Sequence, residues 1–157
     1  MKSVRGFTLI EILVVLFIVS VIISVVSVNP NAFTSNASIL RNFSDEMLLR
    51  LRFAKEHAIS TQETIGMEIR PNSWNFGMFN LDHWELLDGP KPLLPKETPR
   101  EIYLMVNSQN KQIPQIIFYG SGELTPFILE CHLEKASVPV RIIGKANGDI
   151  TLEQPTP

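Results

Sequence analysis

The chain has 157 residues, a formal net charge of −2 and a single cysteine, Cys131. This length suits one modest domain. A weakly acidic net charge does not indicate the basic surface that binds nucleic acid. A single cysteine excludes a disulfide within the chain. The apolar residues are concentrated near the N-terminus, and residues 29–157 carry a net charge of −3.

Residues 7–28 form an apolar run in which Glu11 is the only formal charge. A helix over this run would be about 33 Å long at roughly 1.5 Å per residue, enough to cross the hydrocarbon core of a bilayer. Lys2 and Arg5 precede the run and favour a cytoplasmic N-terminus. A buried core helix and a secretory signal peptide are the alternatives, but residues 29–33 offer no clean small-x-small cleavage site. The sequence therefore favours a membrane-spanning helix over residues 7–28.

An amphipathic helix is predicted over residues 29–65, with a break near Pro30 because proline lacks a backbone donor. Asn36 belongs to the residue types that favour a helix N-cap. The apolar residues that follow recur every three or four positions: Leu40, Phe43, Met47, Leu51, Ala54 and Ala58. This spacing predicts an apolar helix face that covers a sheet, and an interhelical coiled coil is the alternative. The helix is expected to end before Gly66.

Short apolar runs separated by turn residues indicate an antiparallel β domain over residues 66–157. The predicted strands are 67–69, 73–79, 84–87, 102–106, 115–119, 127–133, 138–143 and 149–152. Asn147-Gly148 predicts a hairpin between the last two, and the proline-rich residues 91–100 predict an extended surface loop. The predicted fold class is α+β: a long N-terminal helix, membrane-spanning in its first half and amphipathic in its second half, packed on an antiparallel sheet.

The stretch RGFTLIE at residues 5–11, followed by the apolar run, resembles the N-terminal signature of type IV pilins and of the pseudopilins of type II secretion. The resemblance implies a pilin-like fold and a prepilin leader at residues 1–6. It also implies cleavage by a prepilin peptidase between Gly6 and Phe7 and methylation of the new amino group of Phe7. In this family, Glu11 is expected to pair with the N-terminus of a neighbouring subunit during filament assembly.

The electrostatic energy of Glu11 can be estimated in lipid and in an ion pair. A carboxylate facing lipid costs roughly 2.5–3.5 kcal/mol on insertion scales. An opposite charge at about 4 Å, with an effective dielectric near 20, attracts it by roughly 4 kcal/mol before desolvation is deducted. Pairing with the amino group of Phe7 would therefore favour assembly over lipid exposure. The alternative is that the carboxylate lies close enough to the membrane interface to reach the headgroups.

A second resemblance covers the later part of the chain. Trp74-Asn75-Phe76, Trp84, residues 118–122 and Thr125-Pro126 look like the H-type minor pseudopilins and the minor pilins grouped with them. This implies a structural subunit of the type II secretion pseudopilus, a single-pass protein of the inner membrane with its C-terminal domain in the periplasm. The implied partners are major and minor pseudopilins, the prepilin peptidase, the inner-membrane assembly platform and the membrane. The alternative is a minor type IV pilin in pilus biogenesis or DNA uptake.

The sequence indicates neither an enzyme nor a cofactor or metal site. The three histidines have no metal-ligand spacing and no neighbouring nucleophile signature: His57, His83 and His132. Asp82, Glu85 and Asp88 fit no calcium-binding EF-hand loop. Ser121, between two glycines, lacks the strand-to-helix context of a nucleophile and is expected in a turn.

The remaining conspicuous residues are interpreted as packing residues. Cys131 is expected to be a small buried hydrophobe rather than a reactive thiol. Trp74, Trp84 and Phe79 are expected in the core or on a sheet face, with exposed recognition by one of them as the alternative.

Overall fold

The computed structural model describes residues 9–28, 36–134 and 138–153. The chain divides into two units, residues 1–35 and 36–157. The first unit contains helix α1 (Leu9–Val28) and the second contains helix α2 (Asn36–Thr61) and all the strands. The predicted leader, the predicted break at Pro30 and the last four residues lie outside the described residues.

Helix α1 is built from aliphatic residues with little polar interruption. The side chains of residues 9–21 are all exposed, including every large apolar one. A search of the described part of the chain identified no helix that combines the length and the apolar character needed to span a membrane.

Helix α2 confirms the predicted amphipathic pattern. All six stripe residues are buried: Leu40, Phe43, Met47, Leu51, Ala54 and Ala58. The helix ends at Thr61, earlier than the predicted limit of 65, because Gln62 adopts a left-handed conformation with φ 57°. The Gln62 side chain donates from Nε2 to the carbonyl of Ile59 at 2.7 Å and so satisfies one free carbonyl of the last turn. Ile65 then opens the first strand.

Within the described residues, nine strands form two antiparallel sheets rather than one. The strands are β1 (Ile65–Arg70), β2 (Ser73–Asn80), β3 (His83–Leu86), β4 (Lys96–Glu97), β5 (Ile102–Ser108), β6 (Ile116–Phe118), β7 (Phe127–Leu133), β8 (Val140–Gly144) and β9 (Ile150–Glu153). The first sheet has the order β3-β2-β1-β6, with β4 also paired to β2, and the second has the order β5-β7-β8-β9. Each of the eight predicted runs overlaps one of these strands, so the antiparallel β domain is confirmed.

Helix α2 packs against both sheets, contacting β7, β8 and β9 in one and β1 and β6 in the other. Its stripe therefore shares one continuous core with the inward-facing strand residues, which include Ile65, Met67, Phe76, Phe118, Leu129 and Ile142. The inward residues alternate along the strands, as in β7, where Phe127, Leu129, Cys131 and Leu133 are buried. A helix on an antiparallel β domain is the predicted α+β arrangement, and this core holds it together.

The prediction of an extended surface loop at residues 91–100 is wrong. The segment contains a short 3₁₀ helix (Lys91–Leu93) and strand β4, and the Leu93 side chain is fully buried in the core. Proline-rich composition indicated exposure, but one leucine with a core cavity to fill is enough to draw the segment inwards.

A charged cluster fastens this segment to α2. Arg50 donates from Nη1 to the carbonyl of Pro92 at 2.6 Å and from Nη2 to Glu46 Oε1 at 2.7 Å. Lys96 donates from Nζ to the same Glu46 oxygen at 2.7 Å. The Arg50 guanidinium also lies 5.0 Å from the centre of the Trp74 ring, within cation–π range. Glu46 thus binds Lys96 directly and is linked to Pro92 through Arg50. Residues 91–100 are called the docked segment below.

The predicted Asn147-Gly148 hairpin is confirmed. β8 pairs with β9, Gly148 has φ 89°, and its amide donates to the carbonyl of Lys145 at 2.9 Å. Glycine adopts this backbone conformation without the steric cost that a side chain would add.

The buried stripe predicts a large difference between two leucines on the same helix. Leu51→Ala is expected to lower the free energy of unfolding by about 2–5 kcal/mol, because a fully buried leucine leaves a cavity when truncated. Leu49→Ala is the matched control, since Leu49 is 65% exposed, and is expected to change it by about 0.5 kcal/mol or less. Urea unfolding of a fragment of residues 29–157 measures both, and equal effects would contradict the assigned helix face.

The Glu46 cluster predicts a pH-dependent contribution to stability. The hydrogen bond from Lys96 is the largest cause that lowers the pKa of Glu46, Arg50 lowers it further, and burial works in the opposite direction. A carboxyl whose pKa is lowered by folding stabilises the fold above its unfolded pKa and loses this contribution as pH falls through the folded value. Glu46→Gln is therefore expected to destabilise the fragment at neutral pH by about 0.2–1 kcal/mol, the range for exposed pairs.

The difference between Glu46→Gln and wild type is expected to vanish as pH falls below the ordinary carboxyl range. Urea unfolding at a series of pH values measures this. Glu56→Gln serves as control, because exposed Glu56 on the same helix contacts Lys55 rather than the docked segment. A Glu46→Gln difference that stays constant into acid would contradict the role given to this carboxylate.

Candidate functional site: the N-terminal helix

The candidate site is the start of α1, where the sequence places the processing and assembly residues. Gly6 and Phe7 lie outside the described residues, so cleavage and methylation there remain predictions. Glu11 lies in the first turn of α1 with an exposed side chain. A carboxylate in a first turn is stabilised by the partial positive charge of the helix N-terminus.

Glu11 is surrounded by apolar neighbours along its own helix. Leu9, Ile10, Ile12 and Leu13 are all exposed and apolar. Farther along α1, the Ser20 hydroxyl donates to the carbonyl of Phe17 at 2.8 Å, so this polar group is satisfied within the helix. An exposed helix that is apolar on all sides is typical of an element whose surroundings are lipid or other apolar helices.

Glu11 is the single charged residue of α1. The helix offers no histidine and no second carboxylate, and its other polar side chains are three serines: Ser20, Ser24 and Ser27. A single anion on an apolar helix can bind a cation that reaches the same apolar environment. The desolvation cost of the two charges is partly offset by their attraction, so the pair is more stable there than either charge alone.

The histidines are dispersed over three elements. His57 on α2 stacks on Phe53, His83 Nε2 lies 2.8 Å from Glu85 Oε1 in β3, and His132 Nε2 lies 3.1 Å from Glu130 Oε2 in β7. Within residues 9–28, 36–134 and 138–153, no three His, Cys, Asp or Glu side chains come together in a group that could hold a metal ion.

The Glu130 group is a surface ion-pair network. Arg141 donates from Nε to Glu130 Oε1 at 2.9 Å, and this hydrogen bond is the main cause that lowers the pKa of Glu130, with His132 adding to it. His132 also stacks on Tyr103, with ring centroids 4.8 Å apart. These residues join β5, β7 and β8 across the outer face of their sheet.

Cys131 and Ser121 lie where the sequence placed them. Cys131 is fully buried in β7, and burial raises the pKa of its thiol to about 11, although the Ser44 hydroxyl works in the opposite direction. A thiol with this pKa is almost entirely protonated at neutral pH and is a poor nucleophile. Ser121 lies in a turn beside Gly122, which has φ 90°, and its hydroxyl donates to Glu123.

The three aromatic residues divide between the core and the outer sheet face. Trp74 is buried, whereas Phe79 is exposed and Trp84 is half-buried. Phe79 and Trp84 are cross-strand neighbours in β2 and β3, with ring centroids 5.2 Å apart. The sequence placed these residues in the core or on a sheet face, and the outward pair lies on a sheet face. Exposed recognition by one of them was the alternative and is not tested by this geometry.

The chain was compared with known proteins. Residues 1–27 match the family described as the prokaryotic N-terminal methylation motif, and residues 44–148 match the family described as type II transport protein GspH. A curated relative, the type II secretion system protein H of Aeromonas hydrophila, is 21% identical over 144 residues, which cover 79% of this chain and 78% of the relative.

Two solved structures are similar in fold. The minor pseudopilin EpsH from the type 2 secretion system of Vibrio cholerae has a TM-score of 0.65 and 21% identity, covering 73% of this chain and 95% of that chain. The type IV minor pilin FimU of Pseudomonas aeruginosa has a TM-score of 0.58 and 16% identity, covering 75% of this chain and 90% of that chain. Both likenesses confirm the pilin-like α+β fold.

The GspH match spans α2 from Ser44 onward and most of both sheets, and the methylation motif precedes it in the order that the sequence predicted. Together they cover most of the chain. The chain belongs to the family of type II transport protein GspH.

Proposed function

We propose that this chain is a minor pseudopilin, a structural subunit of the type II secretion pseudopilus that supports the export of proteins across the outer membrane. The observation that carries the proposal is the GspH match over residues 44–148 behind an N-terminal methylation motif at residues 1–27. The relatives of this kind are a secretion system protein H and a minor pseudopilin. Its function is packing into a filament with other pseudopilins rather than catalysis.

A type II secretion pseudopilin with a methylation motif is membrane-anchored. We assign the anchor to residues 7–28, the C-terminal domain to the periplasm and the membrane to the inner one. Lys2 and Arg5 before the apolar run support this orientation. The exposed apolar side chains of residues 9–21 support the assignment, since they need lipid or neighbouring helices around them.

Processing follows from the same segment. The prepilin peptidase cleaves between Gly6 and Phe7, and the new amino group of Phe7 is methylated. Removal of residues 1–6 takes away Lys2 and Arg5 but leaves the whole apolar run as an anchor. Methylation of an amine keeps its positive charge, so Phe7 retains the cation that Glu11 requires.

Glu11 is the assembly residue. In lipid its exposed carboxylate is costly, whereas in the filament it faces the amino group of Phe7 on a neighbouring subunit. The attraction of roughly 4 kcal/mol at about 4 Å, reduced by desolvation, favours insertion of the subunit in one axial register. The inner-membrane assembly platform and the other pseudopilins supply the partner subunits.

DNA capture by a minor type IV pilin is the less well supported function. A DNA-binding surface requires clustered basic residues, but the chain beyond residue 28 has a net charge of −3. The FimU likeness, at 16% identity, concerns the fold alone.

The processing proposal predicts a defined mature N-terminus. Mass spectrometry of the protein from cells with an active prepilin peptidase is expected to give a chain that starts at Phe7 and carries one added methyl group. A Gly6→Ala variant is the comparison, because a side chain next to the cleaved bond is expected to slow cleavage. Wild-type protein that retains Met1 in such cells would contradict the proposal.

The charge-pairing proposal predicts an assembly defect without a folding defect. Glu11→Gln is expected to reduce incorporation into pseudopili about tenfold or more, since a loss of about 1.4 kcal/mol already gives a factor of ten. Glu11→Asp is the matched variant that retains the charge and is expected to retain part of the incorporation. Sheared pseudopilus fractions, compared with total cellular protein, measure this, and normal incorporation of Glu11→Gln would contradict the pairing.

A further inference from the structure

The turn between β2 and β3 carries an exposed leucine in a conformation that leucine disfavours. Leu81 has φ 42° and Asp82 has φ 77°, so both central residues of this two-residue turn are left-handed. Such turns favour Asn, Asp and Gly, and a leucine there costs local free energy. Leu81 is 87% exposed, so packing within the chain does not offset this cost.

The same hairpin presents an apolar outer face. Phe79 pairs with Trp84 and Gly77 pairs with Leu86 across the two strands, and directly paired residues share a sheet face. Trp74 and Phe76 of β2 are buried on the opposite face, in the core. Leu86 is nevertheless 62% exposed. Phe79, Leu81, Trp84 and Leu86 are called the hairpin surface below.

Close packing behind the hairpin surface fixes its shape. Gly66 and Gly77 are direct neighbours in β1 and β2, and the Trp84 ring lies over them. A Cβ atom at Gly66 would come within 2.6 Å of Trp84 Cζ3. The two glycines therefore allow the indole to lie flat against the sheet, and the surface is pre-formed rather than dependent on a partner for its shape.

The strand that carries half of this surface is also a sheet edge. β3 is the first strand in the order β3-β2-β1-β6, and among the described residues β2 is the one strand that pairs with it. An edge strand offers free backbone donors and acceptors to an incoming chain.

The sequence segment that carries the hairpin surface is acidic. Residues 62–90 contain five acidic residues and one basic residue, Arg70. Arg70 donates from Nε to Glu68 at 2.7 Å, which neutralises that pair. Four carboxylates remain: Glu63, Asp82, Glu85 and Asp88. The net charge of this segment is −4, more negative than the −2 of the whole chain, so its field attracts cationic partners and repels nucleic acid and anionic lipid.

We propose that the hairpin surface is the docking site for another subunit of the pseudopilus, whose contacting segment carries apolar residues beside lysine or arginine. The apolar groups of that segment pack on Phe79, Leu81, Trp84 and Leu86, and its cations face Asp82 and the neighbouring carboxylates. The inference rests on the proposed function, because it takes the partner from the same assembly.

Site-specific photo-cross-linking in cells with an active secretion system tests the proposal on the full-length chain. A benzophenone amino acid replaces Leu81 in one strain and Met105 in another. Met105 is the matched control, being 55% exposed on β5 of the second sheet. A third strain carries the probe at Leu13 of α1 and reports incorporation into the pseudopilus. The expected result is an adduct with another pseudopilin from position 81 and from position 13, but not from position 105.

A turn variant separates binding from folding. With the probe at Leu86, Leu81→Asn is expected to reduce the adduct about tenfold, as for the loss of a central interface residue. The same change is expected to leave the melting temperature unchanged or higher, since asparagine suits a left-handed turn position. Asp82→Lys is expected to reduce the adduct similarly by opposing the cationic segment.

The possible outcomes test the hairpin-surface proposal and the proposed function separately. Adducts from position 13 without an adduct from position 81 would overturn the hairpin surface and leave the proposed function standing. An adduct from position 81 with a second copy of this chain, or with lipid, would also overturn the surface proposal. No adduct with another pseudopilin from either position would overturn the proposed function itself, and the inference with it.

Discussion

Burial of one face of α2 against two sheets is the interaction on which the folded unit depends. The chain has a single cysteine and so no disulfide within the chain, which leaves packing to stabilise the folded unit. Ala54 and Ala58 are fully buried on this face and allow the helix backbone to approach the strands closely, whereas Met47 and Leu51 fill the space between the sheets. The remaining elements are arranged around this contact, including the docked segment held by Arg50 and Glu46.

The two units of the chain handle apolar surface in opposite ways. The second unit buries most of its apolar residues in its own core, although it also exposes several, among them Leu81, Leu86 and Ile113. The first leaves the apolar side chains of residues 9–21 exposed around a single carboxylate, Glu11. Exposed apolar side chains are unfavourable in water, so a unit of this kind is stabilised by apolar surroundings.

Local periodicity accounted for the parts of the fold that the sequence could predict. The spacing of three and four from Leu40 to Ala58 identified α2 and its buried face, and alternation with turn residues located eight of the nine strands. Partition into two sheets was missed, because strand pairing is set by contacts between distant segments. The docking of residues 91–100 on the core was not predicted, because the burial of Leu93 depends on contacts of this segment with α2 and β2, which are distant in sequence. At the candidate site, Glu11 stood out because a charge in an apolar run is costly, whereas the Leu81 turn breaks the usual residue preference and gives no local signal.

The carboxylates of the hairpin segment oppose association of two copies of this chain through the hairpin surface. Two copies that met through Leu81 and Trp84 would bring together two segments of net charge −4, and at such short range the repulsion is only partly screened by salt. A partner with cations beside its apolar residues meets attraction on the same face. One-sided charge therefore disfavours self-association while favouring a different subunit, and discrimination of this kind needs the repulsive term as much as the attractive one. A minor subunit that occupies a defined place in a mixed filament requires that discrimination.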